Sequence, residues 1–182
     1  MISYAEQDGR LVEPARLLDI QEPCDVLVVG GGMAGVGAGI AAARAGCRTL
    51  IVEREGMLGG LATAGLVNIP LDYLSGIGAE MFRRLEAVNG LWHHHSDPEK
   101  HKRVLDQMVR ESGCGVLFTT QIVESIVRGG AIAGVVVESK AGRQAILAKR
   151  VVDCSGDGDA AAFAGCRFEV GSPDHEGFTQ GS

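Results

Sequence analysis

The chain has 182 residues, enough for one well-buried domain with little left over for a second. Hydrophobic residues make up 46%, aromatics only 4%, and 27 residues are glycine, a mixture that suits an α/β domain with many tight strand–helix turns. A net charge of −6 without a Lys/Arg run argues against a nucleic-acid-binding face. No secretory start and no apolar run of bilayer length is found, so a cytoplasmic protein with no membrane role is expected.

Residues 1–23 are polar and mixed, with Pro14 and Pro23 as breakers, and are expected to form an N-terminal arm. Asp25–Val29 reads as a short buried strand running into three glycines. A small-residue helix from Met33 to Ala45 and a second strand, Thr49–Val52, follow. Residues 54–113 then form a long insertion. Its start, Gly56–Thr63, is too rich in glycine for a helix interior and is expected to be a loop. Ile77, Met81, Leu85 and Val88 lie at helical spacing, which predicts a helix over Gly78–Val88, stopped by Asn89-Gly90. Asp97 and Pro98 are the N-cap and first residue of another helix, with Val104, Leu105, Met108 and Val109 as its buried stripe and Gly113 as its end. From Gly115 the period becomes two. Val116–Thr119 is a third parallel strand candidate. Ile122–Val127, Ile132–Glu138 and Gln144–Leu147 are expected as three antiparallel strands, Val151–Asp153 as a separate short strand, and Ala160–Ala164 as a small helix. The expected domain therefore runs over 24–170, with a helical insertion at 54–113 and a meander at 122–148. A polar tail, 171–182, leads toward a missing substrate domain.

The chemistry concentrates in Gly30-x-Gly32-x-x-Gly35. Gly30 allows the tight turn out of the strand, Gly32 presents no Cβ to an approaching pyrophosphate, and Gly35 lets the helix pack closely. The helix N-terminus that follows offers N–H groups and a favourable dipole to phosphates. Glu53, at the tip of the second strand, can accept from ribose hydroxyls. This is the pattern of a dinucleotide site, and by itself it serves NAD and FAD alike.

The second half separates the two cofactors. Val28-Val29-Gly30-Gly31-Gly32-Met33-Ala34-Gly35 with Glu53, the loop Gly59-Gly60-Leu61-Ala62-Thr63, and the meander ending in Val151-Val152-Asp153-Cys154-Ser155-Gly156-Asp157-Gly158-Asp159 together resemble an FAD-dependent oxidoreductase of the glutathione-reductase-like flavoprotein superfamily. The resemblance implies a Rossmann-like FAD-binding α/β fold with a parallel sheet and an antiparallel meander crossover. It implies that Gly30, Gly32, Met33, Ala34 and Gly35 hold the pyrophosphate, that Glu53 holds the adenosine ribose, and that Arg54 flanks the adenine or a phosphate. Gly59, Gly60 and Thr63 would run along the pyrophosphate and ribityl chain, and the main chain near Ile122 or Val123 would meet the adenine. Cys154-Ser155-Gly156 stands where similar proteins carry Ala-Thr-Gly, and Ser155, Gly156 and Asp157 would lie near the flavin. A simple NAD domain would continue with alternating helices and strands instead of a meander.

Other residues are weaker candidates. The five scattered cysteines (Cys24, Cys47, Cys114, Cys154, Cys166) include no CxxC pair and are expected as small buried hydrophobes. His93-His94-His95 cannot converge on one metal, because consecutive side chains diverge. His101 falls on the buried helix face and reads as a core histidine, while Trp92 either covers part of a flavin or caps a helix end. No catalytic residue is assigned. The expected activity is hydride or electron transfer between a small organic substrate and flavin. The substrate domain would come from a missing C-terminal part, a complementary chain or a homo-oligomer; the alternative is a non-catalytic FAD-binding subunit completed by a second chain.

Overall fold

A computed structural model of the chain describes residues 4–68, 75–93 and 95–169. In chain order the strands and helices are β1 (Ala5–Gln7), β2 (Arg10–Val12), β3 (Asp19–Ile20), β4 (Cys24–Val29), α1 (Met33–Arg44), β5 (Thr49–Val52), α2 (Gly76–Ala87), β6 (Leu91–Trp92), β7 (His95–Ser96), α3 (Pro98–Ser112), β8 (Gly115–Leu117), β9 (Gln121–Arg128), β10 (Ala131–Ser139), β11 (Gly142–Asp153) and α4 (Asp159–Phe163).

The main sheet runs β8-β5-β4-β11-β10-β9, with β3 pairing β11 beside that path. The β8, β5, β4 and β11 ladders are parallel, and β11-β10-β9 is an antiparallel meander. Strand β4 lies in the middle and is buried on both faces, as parallel sheets demand. Its Val28 packs under the helices with Val36, Ile40, Ile51, Leu58, Met81 and Leu105. Its Leu27 and Val29 join Val52, Ile122, Val135, Val137, Ile146 and Ala160 on the meander side. Each fully buried aliphatic side chain of this kind contributes about 1.5–3 kcal/mol.

Helix α3 forms as the sequence predicts. The Asp97 carboxylate accepts from the N–H groups of Glu99 and Lys100, and His101, Val104, Leu105, Met108 and Val109 face inward. A network of charge ties the three helices together: Arg44 of α1 grips Glu80 of α2 through both guanidinium nitrogens, and Arg84 joins Glu80 to Glu111 of α3. Arg44 first, and then Arg84, hold the Glu80 carboxyl down to about 2 against the upward pull of burial.

The structure differs from the sequence reading, or adds to it, at several points. The stretches Gln144–Leu147 and Val151–Asp153 are one continuous strand, β11. Its first half pairs with β10 and its second half with β4, so partners change while the backbone stays extended. The N-terminal arm carries strands of its own: β1 and β2 form a hairpin, and β3 lies along Gln144–Ala145 of β11. Asn89-Gly90 does end a helix, yet the residues after it form a further hairpin, β6–β7, which positions Trp92 and His95. The small cysteines are not uniformly interior: Cys24 and Cys114 are buried, whereas Cys166 is exposed because it follows the last turn of α4. Helix α2 also begins two residues earlier than expected, and the third parallel strand ends at Leu117. The tail 171–182 and His94 lie outside the described residues.

Gly134 shows how closely β10 and β11 approach. It sits at a register shift between β10 and β9, and a Cβ there would overlap the Ile146 carbonyl oxygen and stand 2.9 Å from Leu147 Cα. Gly134→Ala is expected to destabilise the chain by about 2 kcal/mol or more in urea unfolding. Glu80→Gln should cost about 1 kcal/mol at neutral pH once solvent screening is included. Because the folded carboxyl of Glu80 lies below its unfolded value, that difference is complete above the ordinary carboxylate range and disappears as pH falls through 2, measured as stability against pH for both proteins.

Candidate functional site

Three neighbouring parallel strands end level with one another. Val29 of β4 is in register with Val52 of β5 on one side and Asp153 of β11 on the other. The residues that follow, Gly30, Glu53 and Cys154, are thereby delivered to one edge of the sheet, where α/β folds place their ligands.

The glycines at this edge have different duties. A Cβ on Gly30, which has φ +94°, would drive into the Cys154 carbonyl, with its carbon at 2.8 Å; a Cβ on Gly35 would overlap the Gly30 carbonyl oxygen. Both let β4, α1 and the end of β11 touch. Gly32 is the opposite case. Nothing lies within 4 Å of where its Cβ would be, and its φ of −65° suits any residue. Its missing side chain leaves open space in front of α1.

That space is a cleft of about 650 Å³, within the range of small-molecule and cofactor sites. Gly30, Gly32, Met33 and Ala34 form its floor, Glu53 and Arg54 one end, Gly59 and Gly60 the facing loop, and Ser155 and Gly156 the side next to β11. The first N–H groups of α1 have no intrahelical acceptor, and those of Met33 and Ala34 belong to this floor. The glycine loop is docked on the first motif: the Gly59 N–H donates to the Gly31 carbonyl at 2.8 Å, and a Cβ on Gly60 would come 3.1 Å from Gly32 Cα.

Glu53 is only 5% exposed. Its Oε2 accepts from the Gly31 N–H and its Oε1 from the Glu55 N–H at 2.7 Å. Two charge-assisted bonds hold the carboxylate in place and leave lone pairs for a further donor in the cleft. On the other side, the Asp153 carboxylate accepts from the Ser155 hydroxyl at 2.7 Å and from the Ala161 N–H at 3.0 Å, while Ser155 Oγ accepts from the Asp159 N–H. Burial pushes the Asp153 carboxyl up, and these donors more than offset it, leaving it below the ordinary value. Burial, and then the neighbouring Asp153 charge, raise the Cys154 thiol.

Five predicted residues are not brought onto the cleft wall. Gly35 lies beneath the floor as a packing contact. Thr63 is fully buried and its hydroxyl donates to the Leu58 carbonyl, so its side chain braces the loop from behind. Ile122 belongs to the core on the meander side, and Val123 is half-buried on the same strand. Their main chain follows Thr120, whose N–H donates to the Glu53 carbonyl. Asp157 is exposed; the turn into α4 is stitched by Asp153 and Ser155 instead. Conversely, Glu55, Leu61, Ala62, Ala64, Gly65, Val67, His101 and Cys154 line the cleft without having been singled out as binding residues. Proximity to the glycine pair could have flagged Leu61–Val67; nothing local flags His101, which comes from a distant helix. A second cavity of about 520 Å³ lies between α1, α2 and α3, walled by apolar side chains such as Met33, Met81 and Met108.

The difference between the glycines is measurable. Gly35→Ala is expected to cost about 3 kcal/mol or more, or to prevent folding, whereas Gly32→Ala should leave chemical unfolding within about 0.5–1 kcal/mol of the parent.

Comparison with known proteins agrees with this fold. Residues 25–181 match the family model described as FAD dependent oxidoreductase. Among solved structures, the THI4 protein of Thermovibrio ammonificans is 22% identical with a TM-score of 0.60, covering 81% of this chain and 65% of that one. A geranylgeranyl bacteriochlorophyll reductase-like protein of Thermoplasma acidophilum is 19% identical with a TM-score of 0.60, covering 81% and 43%. The L-proline dehydrogenase of P. horikoshii is 14% identical with a TM-score of 0.59, covering 82% and 57%. The chain thus spans less than two thirds of the length of each of these structures.

Proposed function

The chain belongs to the FAD-dependent oxidoreductase family, with FAD as its cofactor, and from that premise we propose that the cleft at the ends of β4, β5 and β11 seats the dinucleotide in extended form. The observation that carries this placement is the open space in front of Gly32, bounded by the N-terminus of α1 and by the buried carboxylate of Glu53. These residues fit the group: a Cβ-free cradle and free N–H groups for two phosphates, and a fixed acceptor for ribose hydroxyls.

Gly32, Met33 and Ala34 present the pyrophosphate surface, with Gly60 closing over it from the facing loop. Glu53 accepts from the ribose, and Arg54, exposed beside it, flanks the adenosine end. The main chain at Ile122–Val123 meets the adenine; the Thr120–Glu53 bond supports this by tying the start of β9 to the ribose acid. Ser155, Gly156 and the Leu61–Val67 loop flank the flavin, with Thr63 bracing that loop and Asp157 outside the cleft's inner wall. When bound, FAD supplies the hydride or electron-pair chemistry; these residues bind and orient it.

The glutathione-reductase-like superfamily is the finer assignment, supported by the antiparallel meander β9-β10-β11, whose last strand runs on into the parallel ladder beside β4. The substrate is a small organic molecule. The groups that hold it would be supplied by a further domain, a complementary chain or a second copy of this chain, a reading supported by the share of the solved structures that the chain spans. No helix among the described residues is long and apolar enough to cross a membrane, and a cytoplasmic location fits the composition.

The purified chain, reconstituted with FAD, is expected to show flavin absorbance near one cofactor per chain; tight NAD(H) binding without FAD binding would overturn the assignment. Gly32→Val should fold with unchanged circular dichroism and lose FAD, because its branched side chain enters space that the protein leaves free. Full FAD occupancy in that variant would show that the pyrophosphate lies elsewhere.

A further inference from the structure

Among the cleft-lining side chains one ionisable group is fully buried: His101, at 0% exposure on the first turns of α3. It stands where three elements meet, α3, α2 and β7. Its Nε2 lies 3.1 Å from Met81 Sδ of α2 and its Nδ1 3.2 Å from Ser96 Oγ of β7. A thioether sulfur carries no proton and can only accept, so Nε2 bears the hydrogen and Nδ1 accepts from the Ser96 hydroxyl. Ser96 in turn donates its N–H to the Asn68 carbonyl, next to Val67 on the cleft wall. One turn further along α3, Leu105 Cδ1 lies 3.0 Å from where a Gly59 Cβ would be, so the same helix face supports the glycine loop.

No described charge compensates this imidazole. Residues 58–68 contain no ionisable side chain. On α2, Glu80 and Arg84 are committed to the network with Arg44 and Glu111. On β7, His95 faces Asn68 Oδ1 and the Trp92 ring. On α3 itself, Asp97 is spent on the N-cap, Lys100 on the Asn89 carbonyl and Lys102 on Glu99. Burial alone therefore acts on His101, and it depresses the imidazole's pKa.

We propose that His101 is a positioning residue of the cofactor cleft, which holds the wall from Leu61 to Asn68 in place as the neutral Nε2–H tautomer and releases it when protonated. This rests on FAD occupying the cleft. Protonation at Nδ1 removes the acceptor for the Ser96 hydroxyl and places an uncompensated cation in the junction of α2, α3 and β7. The junction relaxes by admitting water, and the wall from Leu61 to Asn68 loses its support. A bound flavin, by excluding that water, makes protonation harder still. FAD retention and a neutral His101 are thus linked through one proton. Since the folded imidazole titrates below the unfolded one, the stabilising contribution is complete above the unfolded value near 6.5 and is lost as pH falls through the folded value.

Titration of the His101 ring by NMR, with and without FAD, tests the linkage without any substitution. The expected result is a lower midpoint in the FAD complex, with FAD affinity constant above about pH 7 and falling about tenfold per pH unit below the free protein's midpoint. His101→Gln should bind FAD with an affinity flat over the same range. Identical midpoints in the two states, or the parental pH profile in His101→Gln, would overturn the proposal. Failure of FAD to bind at pH 7.5 would instead sink the cofactor placement. In that event hydrogen exchange of the FAD-free protein decides the role of His101: peptides covering 61–68 and 95–101 should lose protection on crossing the His101 midpoint in the parent and not in the variant, and equal behaviour overturns it.

Discussion

The structure depends on backbone touching backbone where β4 turns into α1. Gly30 abuts the Cys154 carbonyl and Gly35 rests on Gly30, so the first motif and the end of β11 meet with no side chain between them. More than 120 residues of chain separate these contacts. A single methyl group at Gly30 or Gly35 would displace the helix or the returning strand, and with it the level edge at which Glu53, Gly30 and Cys154 emerge. Glu53 secures the other flank, since its carboxylate is already engaged with the Gly31 and Glu55 N–H groups before any ligand arrives. The cleft is therefore preorganised by the packing that forms the fold.

Strand β11 is the second element on which the arrangement depends. Its first half belongs to an antiparallel meander and its second half to a parallel sheet, with no break between them. The meander is thereby carried rigidly against β4, and the core on that side, Leu27 and Val29 with Val135, Val137 and Ile146, is shared by both halves. The helices on the opposite face are joined by apolar packing and by the Arg44–Glu80–Arg84–Glu111 network. His101 sits on that helical side yet reaches the cleft, which makes the α2–α3 pair part of the site's wall.

FAD chemistry belongs to the cofactor, and on the placement proposed above the chain's contribution is geometric and electrostatic. It offers a cradle without Cβ atoms, helix N–H groups, a fixed carboxylate and a loop that faces them. Family membership supplies the redox character; the low identity of the structural relatives shows the shared fold and carries no substrate across.

The sequence by itself determined the elements governed by local rules. The tight turn at Gly30, the close packing at Gly35, the capping of α3 by Asp97, and its buried stripe were all legible, because turn geometry, helix capping and hydrophobic period act over a few residues. The tertiary structure decided what depends on distant neighbours. The continuity of β11 was hidden because a strand that exchanges an antiparallel partner for a parallel one has no signature at the point of exchange. Thr63 faces inward and Asp157 outward for the same kind of reason: side-chain direction in an irregular loop is set by what it packs against, as the Leu58 carbonyl does for Thr63. His101 was legible as a core histidine, and its place in the cleft became visible only once α3, α2 and β7 were brought together around it.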